Sequence, residues 1–183
     1  NVLAVGASDQ SPNQHNHCSG GKGPTADGRR KPEIYSPGCG IVSARSNQSC
    51  STTSMTGTSM ACPSITAAAA LAKDYFESGF WPSGAANSAH AFVPSGALLK
   101  ALLIDSAVDM TGVSGYPSNT EGWGRLLLDD GAFFSGDGRR LWLADVPAGL
   151  GFRTSGETQT HYLHVNGELD ARFGFYRVRT PVS

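Results

Sequence analysis

Residues 60–77 constrain the fold of this 183-residue chain more than any other stretch. Ala67, Ala68, Ala69 and Ala70 carry high helix propensity and let a helix approach its neighbours closely. Ile65, Leu71, Tyr75 and Phe76 add apolar bulk, and Gly79 supplies a usual C-terminal stop. Such a helix needs a sheet or a second helix to cover it. It opens on Gly57-Thr58-Ser59-Met60-Ala61-Cys62-Pro63. Ser59 stands just before a Pro-started helix and has two readings. As a cap, it bonds the first-turn N–H groups, with Pro tolerated in that turn. As a nucleophile, it needs a base for its proton, while the helix N-terminus stabilises a developing oxyanion.

Around this helix the pattern is α/β. Residues 2–5 are a short apolar run closed by Gly6, which predicts a buried strand. Residues 8–31 are rich in Gly, Pro, Asn and Ser and predict a loop. Ile34 and the pair Ile41-Val42 bracket a Pro37-Gly38 turn. Residues 43–56 are almost wholly polar. Residues 84–91 predict a loop, a second helix runs from Ser95, its N-cap, to about Ala107, and a loop follows to Gly122. Residues 124–128 predict a short strand. After Gly138 the texture changes: residues 141–146, 161–165 and 173–178 alternate apolar and polar between Gly-containing turns, a strand pattern. These predict the start of a β-sandwich or jelly roll, since the 45 residues 139–183 are too few to close a sandwich of about 100.

The motif at Ser59 resembles the nucleophile motif of the subtilisin-like serine proteases, and it does not stand alone. Asn1-Val2-Leu3-Ala4-Val5-Gly6-Ala7 is similar to that family's strand ending in Val-Gly-Ala. Lys22-Gly23-Pro24-Thr25-Ala26-Asp27-Gly28-Arg29, Lys31-Pro32-Glu33-Ile34 and Ser36-Pro37-Gly38 resemble the run leading to the serine. Leu98-Leu99-Lys100-Ala101-Leu102-Leu103-Ile104 and Gly122-Trp123-Gly124-Arg125-Leu126 resemble the two later elements, in the same order. The chain departs from the family pattern at Ser64, where a His commonly follows the Pro, at Ala67, at Glu33, and at Gly20-Gly21-Lys22; none of these is the nucleophile.

The resemblance implies a partial subtilisin-like parallel-sheet sandwich over residues 1–138 and an appended β domain beginning at 139. It implies a serine endopeptidase acting on protein or peptide substrates through an acyl-enzyme on Ser59, with Thr58 supporting the oxyanion. In the family the triad Asp and His, and the Asn that donates to the oxyanion, lie upstream of the serine. Nothing before Ser59 resembles them, so the expected partner is an N-terminal part of the same catalytic domain outside this chain. Calcium often stabilises the family; no acidic cluster of ligand spacing occurs here, so no cofactor is assigned to this chain.

Other chemistry-bearing residues give weaker signals. Cys39 and Cys50 flank a polar segment and are the candidate disulfide, worth up to ~3 kcal/mol in the chain-entropy model, against two free thiols. Cys62 reads as small buried packing, and Cys18 as free or paired elsewhere. Asn47-Gln48-Ser49 is an N-glycosylation sequon, relevant in a eukaryotic source. His15, Asn16, His17 and Cys18 form a compact cluster that lacks a second ligand pair for zinc. His90, His161 and His164 complete the histidines. Asp27, before Gly28, reads as a turn residue. An α/β-hydrolase esterase is the rival enzyme, with Asp105 or Asp129 and His161 downstream, but its serine should follow a buried apolar strand and here follows polar residues 51–56. A non-catalytic scaffold of the same fold is the other rival.

The net charge of −1 offers no attraction for nucleic acid or an anionic membrane. No apolar run approaches the ~20 residues of a membrane span. With abundant glycine and near-balanced charge, the composition suits an extracellular globular protein.

Overall fold

A computed structural model describes residues 2–146, 154–158, 160 and 162. Its centre is a five-stranded sheet in the order β2-β1-β3-β7-β6. The three inner strands, β1 (Val5–Ser8), β3 (Ile34–Pro37) and β7 (Arg125–Leu126), run parallel. The outer strands β2 (His17–Ser19) and β6 (Ala107–Val108) are antiparallel to their neighbours. Parallel strands are covered on their faces, and β1 and β3 are accordingly buried along nearly their whole length. The expected parallel α/β fold is therefore present, with the first strand three residues later than its apolar run suggests.

Two helices pack on one sheet face. Helix α1 (Thr58–Glu77) turns Ala61, Ile65, Ala68, Ala72, Tyr75 and Phe76 inward. Ile65 and Ala68 meet Ile34 of β3 together with Leu103 and Ala107. Ala72, Tyr75 and Phe76 meet Leu98 and Leu102 of α2 (Gly96–Asp105), with Phe80, Trp81 and Phe92 around them. Ser95 caps α2 as expected, accepting from the Leu98 N–H at 3.0 Å. The helix stops at Asp105, and Ala107, expected to be its last residue, opens β6 instead. A four-residue helix, α3 (Leu128–Gly131), closes the unit.

Several expectations need correction. Helix α1 begins at Thr58, so Pro63 lies in its second turn rather than its first. The polar segment before it forms a hairpin, β4 (Ile41–Ala44) with β5 (Thr52–Met55). It was invisible to periodicity because both of its faces are largely solvated. Leu71 is exposed, since the inward positions of α1 leave it on the opposite side. Residues 141–146 form no strand. Leu141 and Leu143 pack on the α1–α2 core, and the Asp145 carboxylate accepts from Ser95 N–H and Oγ–H at 2.7 and 2.6 Å, beside the start of α2. The strands expected at 161–165 and 173–178 fall, apart from residue 162, outside the described residues.

The cysteine pairing is also corrected: Cys18 joins Cys39, with Cα atoms 6.4 Å apart, and Cys50 is free and exposed. Strand β2 lies against β1, with Ala7 opposite Ser19, and Gly38 N–H donates to Ser8 O at 2.9 Å. Cys18 and Cys39 therefore flank the same end of β1. Cys39 sits at the root of the hairpin and Cys50 near its tip. A four-residue strand spans about 13 Å, whereas a disulfide needs Cα atoms within about 7 Å.

Candidate active site

Ser59 is placed by the ends of two strands and by the hairpin. The hairpin returns the chain to Gly57, whose N–H donates to Gly38 O at 2.8 Å. Gly38 in turn donates to Ser8 at the end of β1, and Thr56 Oγ1 accepts from Gly40 N–H at 2.9 Å. Gly38 tolerates no side chain: a Cβ there would lie 2.6 Å from Ala7 Cβ, 2.7 Å from Gly57 O and 3.1 Å from Ala61 Cβ. Ser36 Oγ–H donates to Ala61 O at 2.8 Å, which fixes the first turn of α1 against β3. Gln10 Nε2 holds the far side of the turn through Cys39 O and Gly40 O, at 2.8 and 2.7 Å.

The capping reading of Ser59 does not hold. Gly57 is the N-cap and no side chain caps the helix. Ser59 sits within the first turn and is exposed, and among the described residues its hydroxyl has no hydrogen-bond partner. Its backbone N–H belongs to the first-turn donors that helix geometry leaves without an intrahelical acceptor. Those donors, with the positive end of the helix dipole, suit an anion developing beside the hydroxyl. Pro63 lacks an N–H, so the Ser59 carbonyl loses its i+4 partner. The methyl group of Thr58 faces Gly20, where a Cβ would come within 2.6 Å. The glycine after β2 thus makes room for the residue preceding the serine.

Ser59 opens onto a groove of about 860 Å³, lined by Leu3 and Val5 from the β1 segment and by Cys62, Pro63, Thr66, Ala67 and Ala70 along α1. Cys62 is therefore a correction too: it is exposed in this groove, because Ala61 and Ile65 take the sheet-facing positions on either side of it. The alanine run serves two surfaces, with Ala68 in the core and Ala67 and Ala70 on the groove. Helix α1 is thus apolar on two sides, a property of helices covered on both.

No described histidine or carboxylate lines this groove. His90 lies in the 3₁₀ turn beyond the other end of α1. His15 lines a separate polar cleft with Asp109 and Arg125. His17 packs edge-on to Tyr35, with ring centroids 5.7 Å apart. Since Ile34 and Ser36 face α1, Tyr35 between them faces the other side of the sheet. Burial, and then the nearby Lys22 charge, depress the His17 pKa. His161 and His164 lie outside the described residues. Among the described residues the metal-competent grouping is Asp9, Cys18 and Cys39, whose two sulfurs are committed to the disulfide. That also removes the thiol from the His15–Cys18 cluster, and the set does not fit a calcium site built from oxygen ligands. Asp27 behaves as a turn residue, accepting from Arg29 Nε–H at 2.7 Å and from the Thr25 hydroxyl at 2.5 Å. Asp105 at the end of α2 and Asp129 in α3 do not line the groove, and β5, which precedes Ser59, is an exposed hairpin strand. Among the described residues the α/β-hydrolase arrangement is absent.

A sheet with parallel inner strands, covered by helices and presenting a serine in the first turn of α1, defines an α/β protein. The family model of the subtilase family, Peptidase S8, matches residues 1–124. The chain belongs to the subtilase family. It is 35% identical over 158 residues to the serine protease/ABC transporter B family protein tagD of Dictyostelium discoideum, covering 69% of this chain and 9% of that protein. It is 37% identical over 140 residues to tagB of the same organism, covering 60% of this chain and 7% of that protein. The chain thus spans less than a tenth of the length of these relatives. Among solved structures it resembles the CspB protease of Clostridium perfringens, at a TM-score of 0.50 and 27% identity over 71% of this chain and 26% of that one. It shares the fold of the prenylagaramide maturation protease PagA, at a TM-score of 0.53 and 24% identity over 71% of this chain and 41% of that one.

Proposed function

We propose that Ser59 is the nucleophile of a serine endopeptidase that cleaves protein or peptide substrates through an acyl-enzyme. The observation that carries this reading is an exposed, uncommitted hydroxyl in the first turn of α1, held there by the Ser8–Gly38–Gly57 hydrogen-bond chain. Ser59 Oγ attacks the scissile carbonyl as a histidine takes its proton. The Ser59 N–H donates to the resulting oxyanion, with Thr58 beside it. In this proposal the histidine, its orienting aspartate and the second oxyanion donor come from a segment of the catalytic domain outside residues 1–183. The exposed apolar face of α1, with Leu3 and Val5, is the surface on which that segment packs. The Cys18–Cys39 disulfide supports function in an oxidising, extracellular or luminal compartment. Among the described residues no helix is long and apolar enough to cross a membrane.

The test is peptide turnover by the full-length protein and its Ser59→Ala variant. Loss of turnover by about 10³-fold or more, with unchanged thermal unfolding, is expected. Turnover within a few-fold of the parent rejects Ser59 as nucleophile.

A further inference from the structure

We propose that Asn47 carries an N-linked glycan, making the tip of the β4–β5 hairpin a modification site. This goes beyond the peptidase reading and does not depend on it. The sequon Asn47-Gln48-Ser49 lies in the five-residue loop 46–50, which the Arg45 N–H to Ser51 O hydrogen bond of 3.0 Å closes at its base. Every residue from 42 to 50 is exposed, so the Asn47 amide and the Ser49 hydroxyl are both reachable. Asn47 takes a left-handed backbone conformation, with φ of 58°, which turns the chain within the loop. Among the described residues neither side chain is engaged in a hydrogen bond; the loop's side-chain contact is Ser51 Oγ to Gln48 Oε1 at 3.2 Å.

A second observation is independent of the sequon. The Cys18–Cys39 disulfide sits at the root of the same hairpin, and disulfides persist in the oxidising compartments where sequons are read. The hairpin also has a physical use for a glycan. It is a two-stranded sheet separate from the main one, with its outer edges unpaired among the described residues and Val42 and Met55 exposed at 64% and 55%. Isolated hairpins are marginally stable, and bare strand edges invite pairing with other chains. A bulky hydrated group on the loop would cover the end of the hairpin where Ala44 pairs with Thr52. In the modification step the Asn47 side-chain nitrogen attacks the anomeric carbon of a lipid diphosphate-linked oligosaccharide. A C–N bond forms, the sugar–oxygen bond to the diphosphate breaks with its electron pair leaving on the lipid diphosphate, and the amide loses one proton.

The experiment uses the full-length protein isolated from its source and the same protein secreted from a eukaryotic cell line. Enzymatic removal of N-glycans in heavy-oxygen water should convert Asn47 to labelled Asp in the mapped peptide from both preparations. The Asn47→Gln and Ser49→Ala variants should each lose one glycoform band, and Ser49→Thr should keep it. Ser49→Thr guards against misfolding as the cause of loss, because it preserves the hydroxyl the transferase needs. An unlabelled Asn47 peptide from the natural source overturns the proposal, as does a glycoform pattern that Asn47→Gln leaves unchanged. Probe labelling of Ser59 should be unchanged in Asn47→Gln, so failure of either proposal is distinguishable from failure of the other.

Discussion

Gly38→Ala tests whether the strand ends position the serine. The new methyl group would meet Ala7 Cβ at 2.6 Å and Gly57 O at 2.7 Å, both inside the closest approach real Cβ atoms make, and Ala61 Cβ at 3.1 Å. Neither Ala7 nor the Gly57 carbonyl has a flexible end that can swing away, so relief requires moving β1, or Gly57 and with it the start of α1. Overpacking of this kind costs about 1–3 kcal/mol. For a chain of this size that is a fall in Tm of about 2–12 °C. The functional effect should be larger in proportion, because the displaced atoms are those that hold Ser59: a misplacement of about 1 Å costs on the order of 100-fold in rate. The assay is the second-order rate of fluorophosphonate labelling of the full-length protein, beside its thermal unfolding. A labelling rate within about twofold of the parent, together with a fall in Tm, would refute the claim that Gly38 positions the nucleophile. An unchanged Tm would refute the packing argument itself.

Two buried carboxylates make opposite predictions with pH. Burial pushes the Glu33 carboxyl up, but hydrogen bonds from Lys31, Lys100 (2.9 Å) and the Ala4 N–H (2.6 Å) outweigh it and hold its pKa below the ordinary value. Its contribution to stability is present above the ordinary glutamate pKa of 4.5 and is lost as pH falls through the lower folded value. Glu33→Gln should therefore cost about 1.5–3 kcal/mol at pH 7, with a loss that shrinks under acid conditions, measured by denaturant unfolding across pH. Glu121 is fully buried; burial raises its pKa despite the hydrogen bond from Met110 N–H at 2.9 Å, and the neighbouring Asp109 charge adds to the rise. Its contribution is present below the ordinary value and lost as pH rises through the raised one. Glu121→Gln should match or exceed the parent in Tm at pH 7, while Glu121→Ala, which strands the Met110 donor, should fall by about 1–3 kcal/mol.

The parts of the structure legible in the sequence were those where local and tertiary demands agree. The Ser95 cap and the Gly79 stop both follow from short-range chemistry. What escaped was set by contacts distant in sequence. Helix α1 starts ahead of its proline because Gly57 is anchored to Gly38, 19 residues earlier. Cys18 pairs with Cys39 rather than Cys39 with its nearer neighbour because β1 brings them together. The hairpin carries no period-two apolar signal because neither face is buried. The motif at Ser59 and the run Ser36-Pro37-Gly38 are visible as patterns, but the contacts that join them are not: Gly57 N–H donates to Gly38 O, Gly38 N–H to Ser8 O and Ser36 Oγ–H to Ala61 O, all between segments distant in sequence. Cys62 reads as buried packing because a helix with two apolar sides gives no clue to which side the sheet takes.

Under the proposed function, Ser59 is an activated nucleophile once the catalytic domain is whole. The most direct measurement is fluorophosphonate labelling of the full-length protein and of residues 1–183, read by intact mass and peptide mapping. The account predicts one adduct on the full-length protein, located on Ser59 and absent in Ser59→Ala, and none on residues 1–183. An adduct on another residue, no adduct on the full-length protein, or equal labelling of the 1–183 chain would contradict it.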